Sequence, residues 1–109
     1  MSRNKGNFAE DKAVDYLKQN NFDIIERNFY ASKFGEIDII AKKDNVLHFV
    51  EVKSGFGFEA VYNITPQKIK KIINSANFYM KNRKLNLAFC IDAIIIQENE
   101  IEFLENITL

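Results

Sequence analysis

The stretch GEIDIIAKKDNVLHFVEVKSG, from Gly35 to Gly55, constrains the fold more than any other part of the chain. Its apolar residues alternate at the two-residue period of a strand on either side of Lys43, Asp44 and Asn45, short polar residues that suit a tight hairpin. Two adjacent strands follow, about Glu36 to Lys42 and Val46 to Lys53, each apolar enough to be central. Glu36, Asp38, Glu51 and Lys53 interrupt the pattern. Leu47, Phe49, Glu51 and Lys53 share one face of the second strand, with His48, Val50 and Val52 on the other, while Glu36, Asp38 and Ile40 share a face of the first. If the strands pair, the charged faces coincide only in registers that set Asp38 near the Glu51/Lys53 end, or slightly offset from it.

Such a cluster is costly. Partly desolvated carboxylates tolerate one another only with a cation between them, and Lys53 supplies one charge against two or three. A divalent metal resolves the imbalance, and an all-oxygen ligand set selects hard ions such as Mg²⁺ or Mn²⁺. The first helix, about Gly6 to Gln19, has Ala9, Ala13, Tyr16 and Leu17 at helical spacing. At about 100° per residue, Glu10 falls between Leu17 and Val14, inside the stripe that must face the sheet. It is read as a carboxylate aimed inward, against the blander option of an edge charge paired with Lys12 or Arg27.

The rest of the chain supplies the frame. FDIIERNFY reads as a strand followed by a turn at ASKFG, and SGFGFEAVYN, with two glycines and no period, as a mobile loop. TPQKIKKIINSANFYMKNRK is the clearest helix, with Thr65 as N-cap, Pro66 in the first position and a buried stripe of Ile69, Ile72, Ile73, Ala76 and Met80. LAFCIDAIII is a further buried strand, with EIEFL its hairpin partner across QEN. The order of helix, three strands, helix, two strands predicts an α/β domain over residues 1–109, with a central mixed five-stranded sheet flanked by helices.

Charge is neutral in sum but segregated in order. Between Ala60 and Ile91 stand Lys68, Lys70, Lys71, Lys81, Arg83 and Lys84 without an acid, and from Asp92 onward stand five acids without a base. Fields follow local charge within a Debye length of about 8–10 Å, so one basic face is compatible with neutrality. No run approaches the roughly 18 apolar residues of a spanning helix, and the polar start lacks a signal peptide's apolar stretch, which places the protein in the cytoplasm with no membrane partner. Cys90, the single cysteine, reads as core filler with no zinc spacing around it. His48, opposite in face to Glu51, reads as packing or surface and not as a general base.

An Asp followed one strand later by Glu-x-Lys resembles the PD-(D/E)xK nuclease superfamily and its restriction-endonuclease-like fold. More narrowly, GNFAEDKAVDYL, IIERNF, GEIDIIA, FVEVKS and ITPQKIKKI together resemble the YraN family of small bacterial predicted endonucleases, distantly similar to Holliday-junction resolvases. The chain departs from the superfamily at Ile37, which replaces a nominal proline, and at Ser54, where many relatives carry a base. The resemblance implies that Asp38 and Glu51, with the Val52 carbonyl and Glu10, hold Mg²⁺ or Mn²⁺. Lys53 would orient or deprotonate water and offset charge on the phosphate. Glu36 would support the site or cap the turn at Gly35, and Gln67 and Lys68 would face the scissile phosphate. Lys71, Arg27 and Arg83 would contact the DNA backbone.

The activity so implied is metal-dependent hydrolysis of DNA phosphodiester bonds, on branched or single-stranded structures. A catalytically inactive nucleic-acid-binding module of the same fold is the competing reading, and an internally paired structural protein the third. By analogy with junction-processing relatives, the aromatic loop FGFEAVY could form a two-fold homodimer interface.

Overall fold

A computed structural model describes residues 4–55 and 64–108, with side chains described from Phe8 onward. Five strands, β1 (Asp23–Tyr30), β2 (Glu36–Lys43), β3 (Val46–Ser54), β4 (Ala88–Gln97) and β5 (Glu100–Leu104), form one sheet in the order β1-β2-β3-β4-β5. All neighbours are antiparallel except β3 and β4, which run parallel because the helix α2 (Pro66–Asn82) returns the chain between them. A parallel pair needs such a crossover, since a tight turn can join only antiparallel strands. The mixed α/β architecture expected from the order of elements is present, and it is compatible with the restriction-endonuclease-like fold.

Each helix covers one face. The first, α1 (Asn4–Gln19), packs Ala9, Ala13, Val14 and Leu17 over Ile39, Ala41, Val50 and Ile94. On the other side α2 packs Ile72, Ala76, Tyr79 and Met80 over Ile40, Leu47, Phe49 and Ile91. Sheets buried on both faces read as nearly continuous apolar strands, which is why β2, β3 and β4 do. Of the expected α2 stripe, Ile72, Ala76 and Met80 are buried, Ile69 and Ile73 only partly so, and Ser75 and Tyr79 complete the inward face.

Local signals account for the ends of these elements. Thr65 is extended and its hydroxyl accepts from the Lys68 N–H, satisfying one of the helix's unpaired donors. Asp44 and Asn45 both have positive φ, the backbone of a two-residue hairpin turn that Asn and Asp tolerate. In β1 the pairing with β2 shifts between Ile24 and Glu26, and Asn28 has φ of 53°. As a result Arg27 and Asn28 both reach toward α1, whereas Phe29 stacks edge-on against Tyr79 of α2.

The sheet also opens at one place. Pairing of β2 with β3 runs from Lys43↔Val46 to Ile39↔Val50 and stops there. Ile37 packs with Ile40 on the α2 side while Ile39 packs under α1. Strict alternation, on which the shared face of Asp38 and Ile40 was expected, is therefore broken between Ile37 and Ile39. Residues 56–63, which carry most of the expected loop and the aromatic dimer surface, lie outside the described residues.

Candidate functional site: carboxylates and lysines at the mouth of the sheet

One step beyond the last β2–β3 pair, Asp38 stands across from Glu51. Its Oδ2 accepts a 2.9 Å hydrogen bond from the Val52 N–H, so a side chain replaces the strand-to-strand bond where the ladder ends. In an extended strand the N–H and C=O of one residue point to the same side. The Val52 carbonyl is accordingly turned toward Asp38 as well.

Glu10 enters from α1. It is only 8% exposed, and Asn28 Nδ2 donates to both of its oxygens at 3.0 and 3.1 Å. The inward reading of Glu10 is therefore the one the fold adopts, although the Arg27 guanidinium also lies 3.7 Å from Oε1. Arg27 makes its shorter bond, 2.8 Å, to Asp11.

Lys53 Nζ is 3.4 Å from Glu51 Oε2, the ion pair that the simplest reading of Glu-x-Lys anticipates. That pair does not neutralise the cluster. Burial first, then the Glu51 charge, raise the Asp38 carboxyl to about 7, with smaller upward contributions from Glu10 and Glu36 and a downward one from the Val52 hydrogen bond. Three neighbouring carboxylates thus bear on Asp38 and favour its protonated form. An all-oxygen donor set with uncompensated negative charge fits a hard divalent ion.

A second cation approaches from the start of α2. The Lys53 charge and hydrogen bonding to Lys53 lower the pKa of Lys68, which places the two ammonium groups side by side. Lys68 and Lys71 share a shallow pocket of about 210 Å³ with Glu36, Glu51, Phe34, Gly35, Ile72 and Ser75. Glu36 is exposed on the wall of that pocket, and Gln67 is exposed in the first turn of α2.

Arg83 is not brought to this site. It caps the far end of α2, about 22 Å along the helix from Lys68 at 1.5 Å per residue. There it binds Glu26 at 2.9 Å and lies over the rings of Phe29 and Tyr79.

The sequence reading missed a second group of polar side chains. His48 is buried with its ring edge against Phe22, as a packing residue would be, but its Nδ1 also meets Asp92 Oδ2. Cys90 Sγ lies 3.1 Å from His48 Nδ1 and 3.4 Å from Asp92 Oδ1. The thiol is thus not plain core filler. These three could hold a metal ion, since one ligand atom from each falls within 4.8 Å of the others. Their juxtaposition comes from the parallel register His48↔Cys90, which no spacing in the sequence reveals.

The fold and this geometry define a class: an α/β domain with a carboxylate and lysine site where two central strands part. Within that class the chain belongs to the family described as "Uncharacterised protein family UPF0102", whose model matches residues 9–96, and this family is YraN-like. It is similar to the UPF0102 protein of Wolinella succinogenes, at 57% identity over 109 residues with all of both chains covered. It is also similar to those of Sulfurovum sp. (56% over 105 residues, 95% of this chain and 93% of the relative) and Helicobacter hepaticus (56% over 108 residues, 99% and 97%). Among the described residues no helix is long and apolar enough to cross a membrane.

Proposed function

We propose that this protein is a nuclease that hydrolyses DNA phosphodiester bonds with the help of Mg²⁺ or Mn²⁺. The observation that carries the reading is the carboxylate cluster: Asp38 Oδ2 accepts the Val52 N–H just beyond the last β2–β3 pair, with Glu51 and the buried Glu10 acting on it and Lys53 3.4 Å from Glu51. Asp38, Glu51, the Val52 carbonyl and Glu10 would hold the ion, which when bound supplies Lewis-acid stabilisation and a more acidic water.

The remaining work falls to this chain's own groups. Lys53, 3.4 Å from Glu51, would orient a water or, in its neutral form, take the water's proton, and as an ammonium would offset the charge developing on the phosphate. Lys68, and Lys71 one helical turn later, line the adjoining pocket and present charge to a phosphodiester, at a helix N-terminus whose dipole also favours anions. Gln67 sits beside them in the same turn. Arg27 bonds Asp11 and Arg83 bonds Glu26, each through Nη2, and the remaining guanidinium N–H groups would be the ones to contact a DNA backbone.

The test is incubation of single-stranded, duplex, flap and four-way-junction DNA with the protein in Mg²⁺, Mn²⁺ or EDTA, with Asp38→Ala alongside. The expected result is cleavage of at least one branched or single-stranded substrate in either metal, and none with EDTA or the variant. Intact DNA with saturable binding would replace this reading by that of a binding module. Intact DNA without binding would leave an internally paired structural protein.

A further inference from the structure

The His48, Cys90 and Asp92 trio lies on the two central strands near the start of β3, roughly 10 Å along the strand from Glu51 at 3.3 Å per residue. From its geometry we infer that it is a second metal site, specific for Zn²⁺ or a similar borderline-soft divalent ion and independent of the acidic mouth. The ligands would be His48 Nδ1, Cys90 Sγ and Asp92 carboxylate oxygen, with water in the fourth position.

Four observations converge on it. The donor set is the first: imidazole and thiolate with one carboxylate suit Zn²⁺ and disfavour Mg²⁺. Spacing is the second. Zn–S near 2.3 Å and Zn–N near 2.0–2.1 Å require tetrahedral ligand separations of roughly 3.3–3.6 Å, and the Sγ–Nδ1 and Sγ–Oδ1 distances are 3.1 and 3.4 Å. The His48 Nδ1–Asp92 Oδ2 contact, 2.5 Å, must open by roughly 1 Å to admit the ion, a movement within reach of a side-chain rotation.

Support around the ligands is the third. Asp92 is fully buried, and its Oδ1 is held at 2.8 Å by the Asn106 N–H, while the Phe22 ring fixes the plane of His48. Access is the fourth. His48 and Cys90 line an open cavity of about 540 Å³ whose wall includes Lys43, Asp44, Glu105 and Asn106, so the trio can be reached from solvent.

The charges and protons balance. A thiolate and a carboxylate cancel the two charges of the ion, leaving a neutral buried centre. A thiol ligates as the thiolate, so its proton leaves when the ion binds. Ligation through Nδ1 requires the His48 tautomer that carries its proton on Nε2. Binding thus weakens as pH falls. The bound ion would join β3, β4 and the segment after β5, which is already pinned there by the Ile107 N–H bonded to the Ile91 carbonyl.

Co²⁺ is the probe, because a cobalt–thiolate bond gives a near-ultraviolet charge-transfer band that carboxylate sites lack. Chelator-treated full-length protein is titrated with Co²⁺ in excess Mg²⁺, and bound Co²⁺ is then displaced with Zn²⁺. The expected result is a band saturating at one equivalent, erased by Zn²⁺, absent in Cys90→Ser and unchanged in Asp38→Asn. Weakening by at least tenfold is expected in His48→Gln. No band in the wild type, or a band that persists in Cys90→Ser, overturns the inference. Should Cys90→Ser fail to fold, alkylation of the wild-type chain's one cysteine decides: Zn²⁺ but not Mg²⁺ slows it if the site exists, and equal rates refute it.

Discussion

In EDTA at pH 8, Asp38→Asn unfolds at a markedly higher temperature than the wild type. The folded-state carboxyl titrates at about 7 against an ordinary value of 3.8. Between those values the native chain keeps a proton that the unfolded chain has lost. Its contribution to stability is therefore present below about pH 4 and falls steadily as pH rises to about 7, staying low above that. A gap of about three pH units corresponds to roughly 3–4 kcal/mol, enough to move the melting temperature of a domain this size by roughly 10 °C or more. Asparagine removes the charge yet keeps an oxygen to accept the Val52 N–H. The variant-minus-wild-type difference should accordingly be near zero at pH 4 and largest at pH 8, which thermal melts across that range in EDTA will measure. Mg²⁺ or Mn²⁺ should stabilise the wild type at pH 8 and leave the variant unmoved, because only a binding-competent native state gains from ligand. Equal melting temperatures at pH 8 would mean that the cluster is already neutralised by the groups in place.

Replacing Lys53 by alanine should cost catalysis and spare metal binding. Its ammonium touches Glu51 and lies against Lys68, so it belongs to the acidic mouth without being an oxygen donor. A positioned proton-transfer group or a charge aimed at the transition state contributes about 10²–10⁴-fold in rate. Single-turnover cleavage of the preferred substrate at saturating Mn²⁺ should fall by that factor in Lys53→Ala. Lys68→Ala, by contrast, should act mainly on DNA affinity and its salt dependence. Full activity in Lys53→Ala would remove the lysine from the mechanism.

How much of this was legible in the sequence depends on what each signal measures. The strands around Asp38 and Glu51, the inward Glu10, the Thr65 cap and the Asp44-Asn45 turn are local: periodicity and side-chain chemistry determine them. Alternation could not be carried through Asp38, because it presumes an unbroken pleat and the pleat breaks between Ile37 and Ile39, where the ladder stops. Arg83 was expected as a DNA-backbone contact, and charge segregation counted along the chain does not say that a helix of 17 residues sets it roughly 22 Å from Lys68. Cys90 and Asp92, two apart on one strand, share a face by alternation alone, but His48 joins them only through a parallel register. Parallel pairing leaves no turn from which a register can be read, so the spacing of the sequence could not bring His48 to the other two.

The most direct measurement is Mn²⁺ binding at pH 7.5, read from the loss of the free-ion paramagnetic resonance signal, in wild type, Glu51→Gln and Cys90→Ser. A hard-ion site built from Asp38, Glu51, Val52 and Glu10 predicts saturable binding in the wild type and in Cys90→Ser, with near-complete loss in Glu51→Gln. Binding that survives Glu51→Gln, or none in the wild type, would contradict it.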